Sequence, residues 1–177
     1  LTGGTVFGVD DTADYSTLSG GVDDNSATQI NNDILDVGKG YDLFSDAETV
    51  DVSLLLGGPG VAANGQFLID EVCDKRKDCV AFVSPPKDEI VGIAAATQLS
   101  NLQEWRTATG GYTTNHMNIN SSYGFLDGNY KYQYDKYNDN YRWVPLAGDI
   151  AGLCVFTDSS KAAWWSPGGI NRGKIKG

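Results

Sequence analysis

From Ser26 to Trp105 the chain switches repeatedly between helical spacing and strand spacing, and no other feature constrains its fold as tightly. Ile30, Ile34, Val37, Tyr41 and Phe44 recur at helical intervals behind a Ser26/Gln29 capping box, with Gly38 and Gly40 weakening the last turns. Val50, Val52, Leu54 and Leu56 alternate and merge into the apolar run 54–56, which suits a strand packed on both faces. A glycine-rich turn at 57–60 leads into a second helix with Val61, Leu68 and Val72 on one side and the basic Lys75, Arg76 and Lys77 at its end. Val80 to Val83 reads as the next strand. Pro85 and Pro86 stop it, and Asp88 is placed to cap a third helix that buries Val91, Ala95, Leu99, Leu102 and Trp105. Neighbouring parallel strands need crossover connections, so the expected fold class is α/β: a mostly parallel sheet flanked by helices.

Beyond Gly110 the texture becomes aromatic. Tyr130, Tyr132 and Tyr134 share one face of a strand, 135–140 is turn-like, and 141–144 returns, which predicts an antiparallel Tyr-rich hairpin. Pro145 is suited to the first turn of a following helix with Leu146, Ile150, Leu153 and Cys154 as its buried stripe. Residues 1–25, rich in Gly, Thr, Ser and Asp, read as an irregular or strand lead-in from a preceding domain, and 26–177 as one α/β core domain. The start at Leu1 and the Lys174–Ile175–Lys176 ending are expected of an excised fragment.

Charge narrows the function classes. A net charge of -10 opposes phosphate binding, which needs clustered Lys and Arg, so no nucleic acid partner is expected. No charged leader with an apolar core opens the chain and the apolar stretches are interrupted, so neither secretion nor membrane insertion is expected. Cys73, Cys79 and Cys154 make a poor disulfide set and read as buried thiols; without histidine at zinc-like spacing, no metal site follows.

Several chemical motifs are approached but not completed. Gly58-Pro-Gly-Val-Ala-Ala63 loosely matches a dinucleotide turn, yet Pro59 removes an amide and the next strand ends in Ser84-Pro85 without an acid for a ribose, which leaves a tight strand-to-helix turn. Gly65 is followed by Gln66 and Phe67, which is not a phosphate loop, and Asp135 to Asn140 puts Tyr137 at a calcium-ligand position without the sixth-position glycine. His116 is the single imidazole and is expected to be an exposed loop residue; Asp10-Asp11 and Asp23-Asp24 read as solvated turn acids. No catalytic residue and no cofactor emerge. The hairpin suits a carbohydrate platform, a subunit interface, or internal packing, the last being expected for Trp143 and about half of the tyrosines.

Three runs carry a resemblance: Tyr130-Lys-Tyr-Gln-Tyr-Asp135; Tyr141-Arg-Trp-Val-Pro-Leu-Ala-Gly-Asp-Ile-Ala-Gly-Leu153; and Trp164-Trp-Ser-Pro-Gly-Gly-Ile-Asn-Arg-Gly173. With Leu18 to Asp23, Asp42 to Ser45 and Val80 to Pro86, they resemble the tail sheath proteins of contractile, T-even-type phages. That resemblance implies a structural subunit, not an enzyme, arranged in helical rings with other copies of itself around a tail tube protein and meeting baseplate and tail terminator proteins. It implies a virion location after assembly in the bacterial host cytoplasm, and contraction that drives the tube through the host envelope. The family's N-terminal segment and C-terminal domain, whose extended arms link neighbouring subunits, are not expected within this stretch of chain. Contraction needs no catalyst when two packings of the same subunits differ in free energy and the higher one is kinetically trapped. Candidate interface residues are Tyr130, Lys131, Tyr132, Tyr141, Arg142, Trp164, Trp165, Asn171 and Arg172. The segment 164–173 also reads as a plain connecting turn in which Trp164 and Trp165 pack. A carbohydrate-binding module and, further off, a His116-dependent hydrolase are the alternatives.

Overall fold

The computed structural model describes residues 40–107, 116–162, 164–169 and 172–173. The lead-in 1–25 and most of the helix expected after Ser26 lie outside them; Gly40–Phe44 is a short 3-10 turn. β1 (Leu54–Pro59), β2 (Val80–Ser84) and β3 (Gly124–Leu126) form a parallel sheet in that order, and β4 (Tyr130–Asp135) pairs antiparallel with β5 (Asn140–Pro145) in a separate hairpin. The α/β class and the Tyr-rich hairpin are as expected.

β1 begins later and runs further than its alternation predicts. Val50 and Val52 precede it, while Gly57, Gly58 and Pro59 belong to it, across a bulge between Leu56 and Gly58. Gly58 sits at φ +64°, a conformation open to glycine and strained for other residues, so the glycines shape the strand's exit. Leu55 is buried but Leu56 is exposed, so β1 is not packed on both faces. β2 is the strand that is: Ala81, Phe82, Val83 and Ser84 are all buried, as its central position requires.

Residues 62–76 form one helical run: α1 (Ala62–Gln66), a π-helical stretch Phe67–Cys73, and α2 (Asp74–Arg76). The wider π-turns present Leu68, Ile69, Val72 and Cys73 together to the sheet, a broader face than the Leu68/Val72 pair legible in the sequence. The run ends at Lys77, whose left-handed backbone (φ 62°) directs its N–H to the Cys73 carbonyl at 2.8 Å. Arg76 turns back to donate to the Phe44 and Val50 carbonyls at 2.7 and 2.9 Å while pairing with Asp78, and so pins the 44–50 loop to the helix end.

The third helix departs from expectation. Lys87–Glu89 is a 3-10 turn, Gly92 breaks the run at φ +81°, and α3 spans Ala95–Thr107. Side chains bridge the break: Gln98 Nε2 donates to the Ile90 carbonyl at 2.8 Å and Asn101 Nδ2 to that of Glu89 at 2.9 Å. Only the end of the predicted stripe packs inward, with Trp105 buried and Leu102 against the core, while Ala95 and Leu99 are exposed.

Alternation along β2 divides the interior. Ala81 and Val83 face the helical run, Trp105 and Met117; Phe82 faces α4 (Ala147–Ser160) through Ala147 and Ala151. Pro145 closes β5 rather than opening α4, and the small residues Ala147 and Ala151, not Leu153, make the closest seat on the sheet, with Ile150 and Cys154 beside them. Large residues at those two positions would hold the helix away from Phe82.

Candidate subunit interface on the hairpin

In the β4–β5 register Tyr130 faces Pro145, Tyr132 faces Trp143 and Tyr134 faces Tyr141, so one face is aromatic; Lys131, Gln133 and Asp135 face Val144, Arg142 and Asn140 on the other. The aromatic rings form a ladder. Tyr132 stacks on Tyr141 at 5.1 Å between centroids and leans on Trp143 at 5.0 Å, and Tyr134 meets Tyr141 at 5.2 Å. Tyr132 is nevertheless 58% exposed and Trp143 43%, so the internal packing expected of Trp143 is overturned. The rings satisfy one another sideways and leave their outer surface to solvent.

Tyr130 anchors the base of this ladder. It is buried and its hydroxyl donates to the Pro85 carbonyl at 2.6 Å, tying the hairpin to the end of β2; burial, with Asp88 nearby, pushes the phenol up to about 12. Lys131 Nζ donates to Asp149 at 2.7 Å, a second tie from hairpin to α4. At the tip, Asp135 accepts from the Tyr137 and Asn138 amides and the Asn138 side chain, and pairs with Arg142 at 3.1 Å. The Asn138 side-chain bond first, then those amides and Arg142, hold its carboxyl below the usual carboxylate range. Beside the polar face lies an open groove of ≈ 440 Å³ lined by Gln133, Asp135, Tyr137 and Arg142.

The C-terminal candidates gather in a second place. Arg172 stacks over Trp165 at 4.8 Å and donates to the Ser166 and Gly168 carbonyls, each at 3.2 Å, with Lys161 approaching the same ring at 5.9 Å. Trp164 is 85% exposed, so the packing expected of it is overturned. Asn171 lies outside the described residues.

Chemistry elsewhere stays incomplete. Cys73 and Cys79 are buried with sulfurs 3.6 Å apart, and burial pushes both thiols up. His116, expected to be exposed, is half-buried with Nδ1 3.1 Å from the Glu104 carbonyl oxygen. Among the described residues no cluster of three His, Cys, Asp or Glu could hold a metal, and no helix is long and apolar enough to cross a membrane. Sequence reasoning missed the burial of Tyr130 and the role of Tyr134 and Trp143 in the ladder; strand alternation, counted through Trp143, carried that signal.

A profile described as "Phage tail sheath protein central domain" matches residues 56–177. The chain is 46% identical over 165 residues to the tail sheath protein of Enterobacteria phage T4, covering 90% of this chain and 24% of that protein. It is 47% identical over 149 residues to the tail sheath protein of Vibrio phage KVP40, covering 78% and 22%, and 32% identical over 157 residues to that of Salmonella phage ViI, covering 89% and 22%. The chain thus spans about a quarter of the length of the relatives it matches. These are structural components of the virion tail rather than enzymes. The matched region takes in both faces of the sheet, the hairpin and the Trp165–Arg172 corner, and the chain belongs to the phage tail sheath family.

Proposed function

We propose that residues 26–177 are a rigid body in the wall of a contractile sheath, which stacks with copies of itself around the tail tube and re-pairs its contacts when the baseplate triggers contraction. Residues 1–25 lead in from a preceding domain, and the tail terminator caps the finished polymer. Assembly takes place in the host cytoplasm, and contraction drives the tube through the envelope. The observation that carries this reading is the exposed Tyr132/Tyr134/Tyr141/Trp143 ladder, a pre-stacked aromatic surface of the residue types that dominate protein contacts.

Two-stranded sheets are marginal in water unless covered, so a neighbouring subunit over the ladder would complete the hairpin's burial. Trp164, Trp165 and Arg172 form the second contact region of this reading, and Lys131 and Arg142 contribute polar partners at the rim. With a net charge of -10, subunits repel until specific contacts outweigh that repulsion, and assembly of the full-length protein should respond to salt.

The test is a full-length protein carrying Tyr132→Ala with Trp143→Ala, or Arg172→Glu, observed by electron microscopy. Folding retained with tubes and contraction lost is expected; unchanged assembly and contraction in all of these variants would remove both regions from the interface. The open groove at the hairpin tip is what favours a carbohydrate platform instead, and a variant protein that stays monomeric by design but binds glycans there would establish it.

A further inference from the structure

Where the chain leaves β1 and passes the end of β2, the structure holds a small cavity of ≈ 10 Å³ lined by Gly58, Gly60, Asn64, Ser84, Trp105 and Met117 among others. A space of that size admits one water and nothing larger. Two of its lining side chains end in polar groups without a protein partner among the described residues: the Ser84 hydroxyl and the Trp105 indole N–H. Neither reaches bulk solvent, since Ser84 is 1% exposed and Trp105 2%. Unpaired buried donors are among the most unfavourable features a folded chain can carry, and native proteins resolve them with an internal partner or an ordered water.

The walls around the space are closely packed. A Cβ on Gly65 would lie 2.9 Å from the Met117 sulfur, and one on Gly57 2.7 Å from Val83 Cγ1, so only glycine allows these groups to approach as they do. What remains is a polar, water-sized space facing two unpaired groups.

We propose that this cavity is the binding site of one structural water, which accepts a hydrogen bond from the Trp105 indole and is hydrogen-bonded to the Ser84 hydroxyl. The ligand is neutral and small, in contrast to the phosphate that a glycine turn of this outline would hold in a dinucleotide-binding protein. The water links the end of central β2 to the last turn of α3, beside the glycines at the exit of β1. It thereby holds Trp105, whose carbonyl accepts the Met117 N–H at 2.6 Å, in a fixed place at the end of the sheet. The inference is independent of the interface reading, because none of these residues belongs to the hairpin or the Trp165–Arg172 corner.

The decisive measurement is a crystal or electron-microscopy structure of the full-length protein at a resolution that shows ordered solvent. Density within about 3.2 Å of both Ser84 Oγ and Trp105 Nε1 is expected. A cavity without density, or direct protein hydrogen bonds to both atoms, overturns the proposal. A double-mutant cycle with Ser84→Ala and Trp105→Phe gives a second reading in solution. A shared water makes the two losses of stability less than additive, and strict additivity counts against it. Should Trp105→Phe fail to fold, the unmodified protein still decides, since the solvent structure needs no variant.

Discussion

Phe82 and Tyr132 occupy the same situation in two different sheets, and the contrast between them separates a ring closed over by its own chain from one left open to solvent. Each is an aromatic residue on a strand, stacked on a cross-strand aromatic neighbour: Phe82 on Phe125 at 5.0 Å, Tyr132 on Tyr141 at 5.1 Å. Phe82 is 1% exposed because α4 closes over it, whereas Tyr132 is 58% exposed. Stacking geometry alone therefore says little about stability. What decides is whether a further layer of the same chain removes the ring from water, as α4 does for Phe82 but not for its stacked partner Phe125, which is 49% exposed. Over Phe82 that layer is α4; Tyr132 stays open to solvent, and the neighbouring subunit proposed above would cover it.

The largest effect that can break this comparison is Phe82→Ala, which removes a buried ring between β2 and α4 and should lower stability by about 3–5 kcal/mol in urea unfolding. Tyr132→Ala should lower it by only about 0.5–1.5 kcal/mol while abolishing tube formation by the full-length protein, read by sedimentation. Equal losses from the two substitutions would mean that the hairpin face is part of the folding core.

Smaller still is the tie between the regions. Lys131→Met should remove about 0.5–1 kcal/mol, and restore mobility to the hairpin base in hydrogen exchange, since the Lys131–Asp149 pair is only partly shielded from solvent. Arg76→Ala should free the 44–50 loop to proteolysis without touching the hairpin, because its guanidinium serves the Phe44 and Val50 carbonyls.

Titration sharpens the contrast with opposite signs. Asp135 at the hairpin tip has its folded pKa lowered by the Asn138 side chain and nearby amides, so its contribution is present above the ordinary carboxylate pKa and lost as pH falls through the lower folded value. Asp127, beside the parallel sheet, has its folded pKa raised by burial, so its ionisation opposes folding as pH rises through that raised value and its protonation relieves the penalty below it. Between mildly and strongly acidic pH the hairpin amides should therefore lose protection first. Simultaneous loss in both regions would contradict the assignment.

Much of this was legible beforehand where a single local signal decided the outcome. The apolar continuity of Val80 to Val83 announced a strand, although coverage on both faces was expected of 54–56 instead, and the spacing of Tyr130, Tyr132 and Tyr134 announced one face of a hairpin. Gly92 was the missed signal in the third helix: its left-handed conformation separates the Lys87–Glu89 turn from α3, and a capping aspartate looked sufficient without it. The candidate interface residues were legible as types but not as surfaces. Tyr130 and Tyr132 are indistinguishable by pattern, yet one is buried against Pro85 and the other looks outward.

Local chemistry, then, determined the alternation of strands and helices between Leu54 and Trp105, the parallel pairing that crossovers impose there, the Tyr-rich hairpin and the acidic charge, all of which follow from residues near one another in the chain. Tertiary structure alone decided which apolar faces are closed, because closure depends on residues dozens of positions away: Ala147 and Ala151 over Phe82, Pro85 beneath Tyr130, and Ser84 meeting Trp105 across a space the size of one water. A spacing pattern states that a side has been prepared for burial. Whether water leaves that side depends on what the rest of the chain, or a neighbouring chain, brings to it.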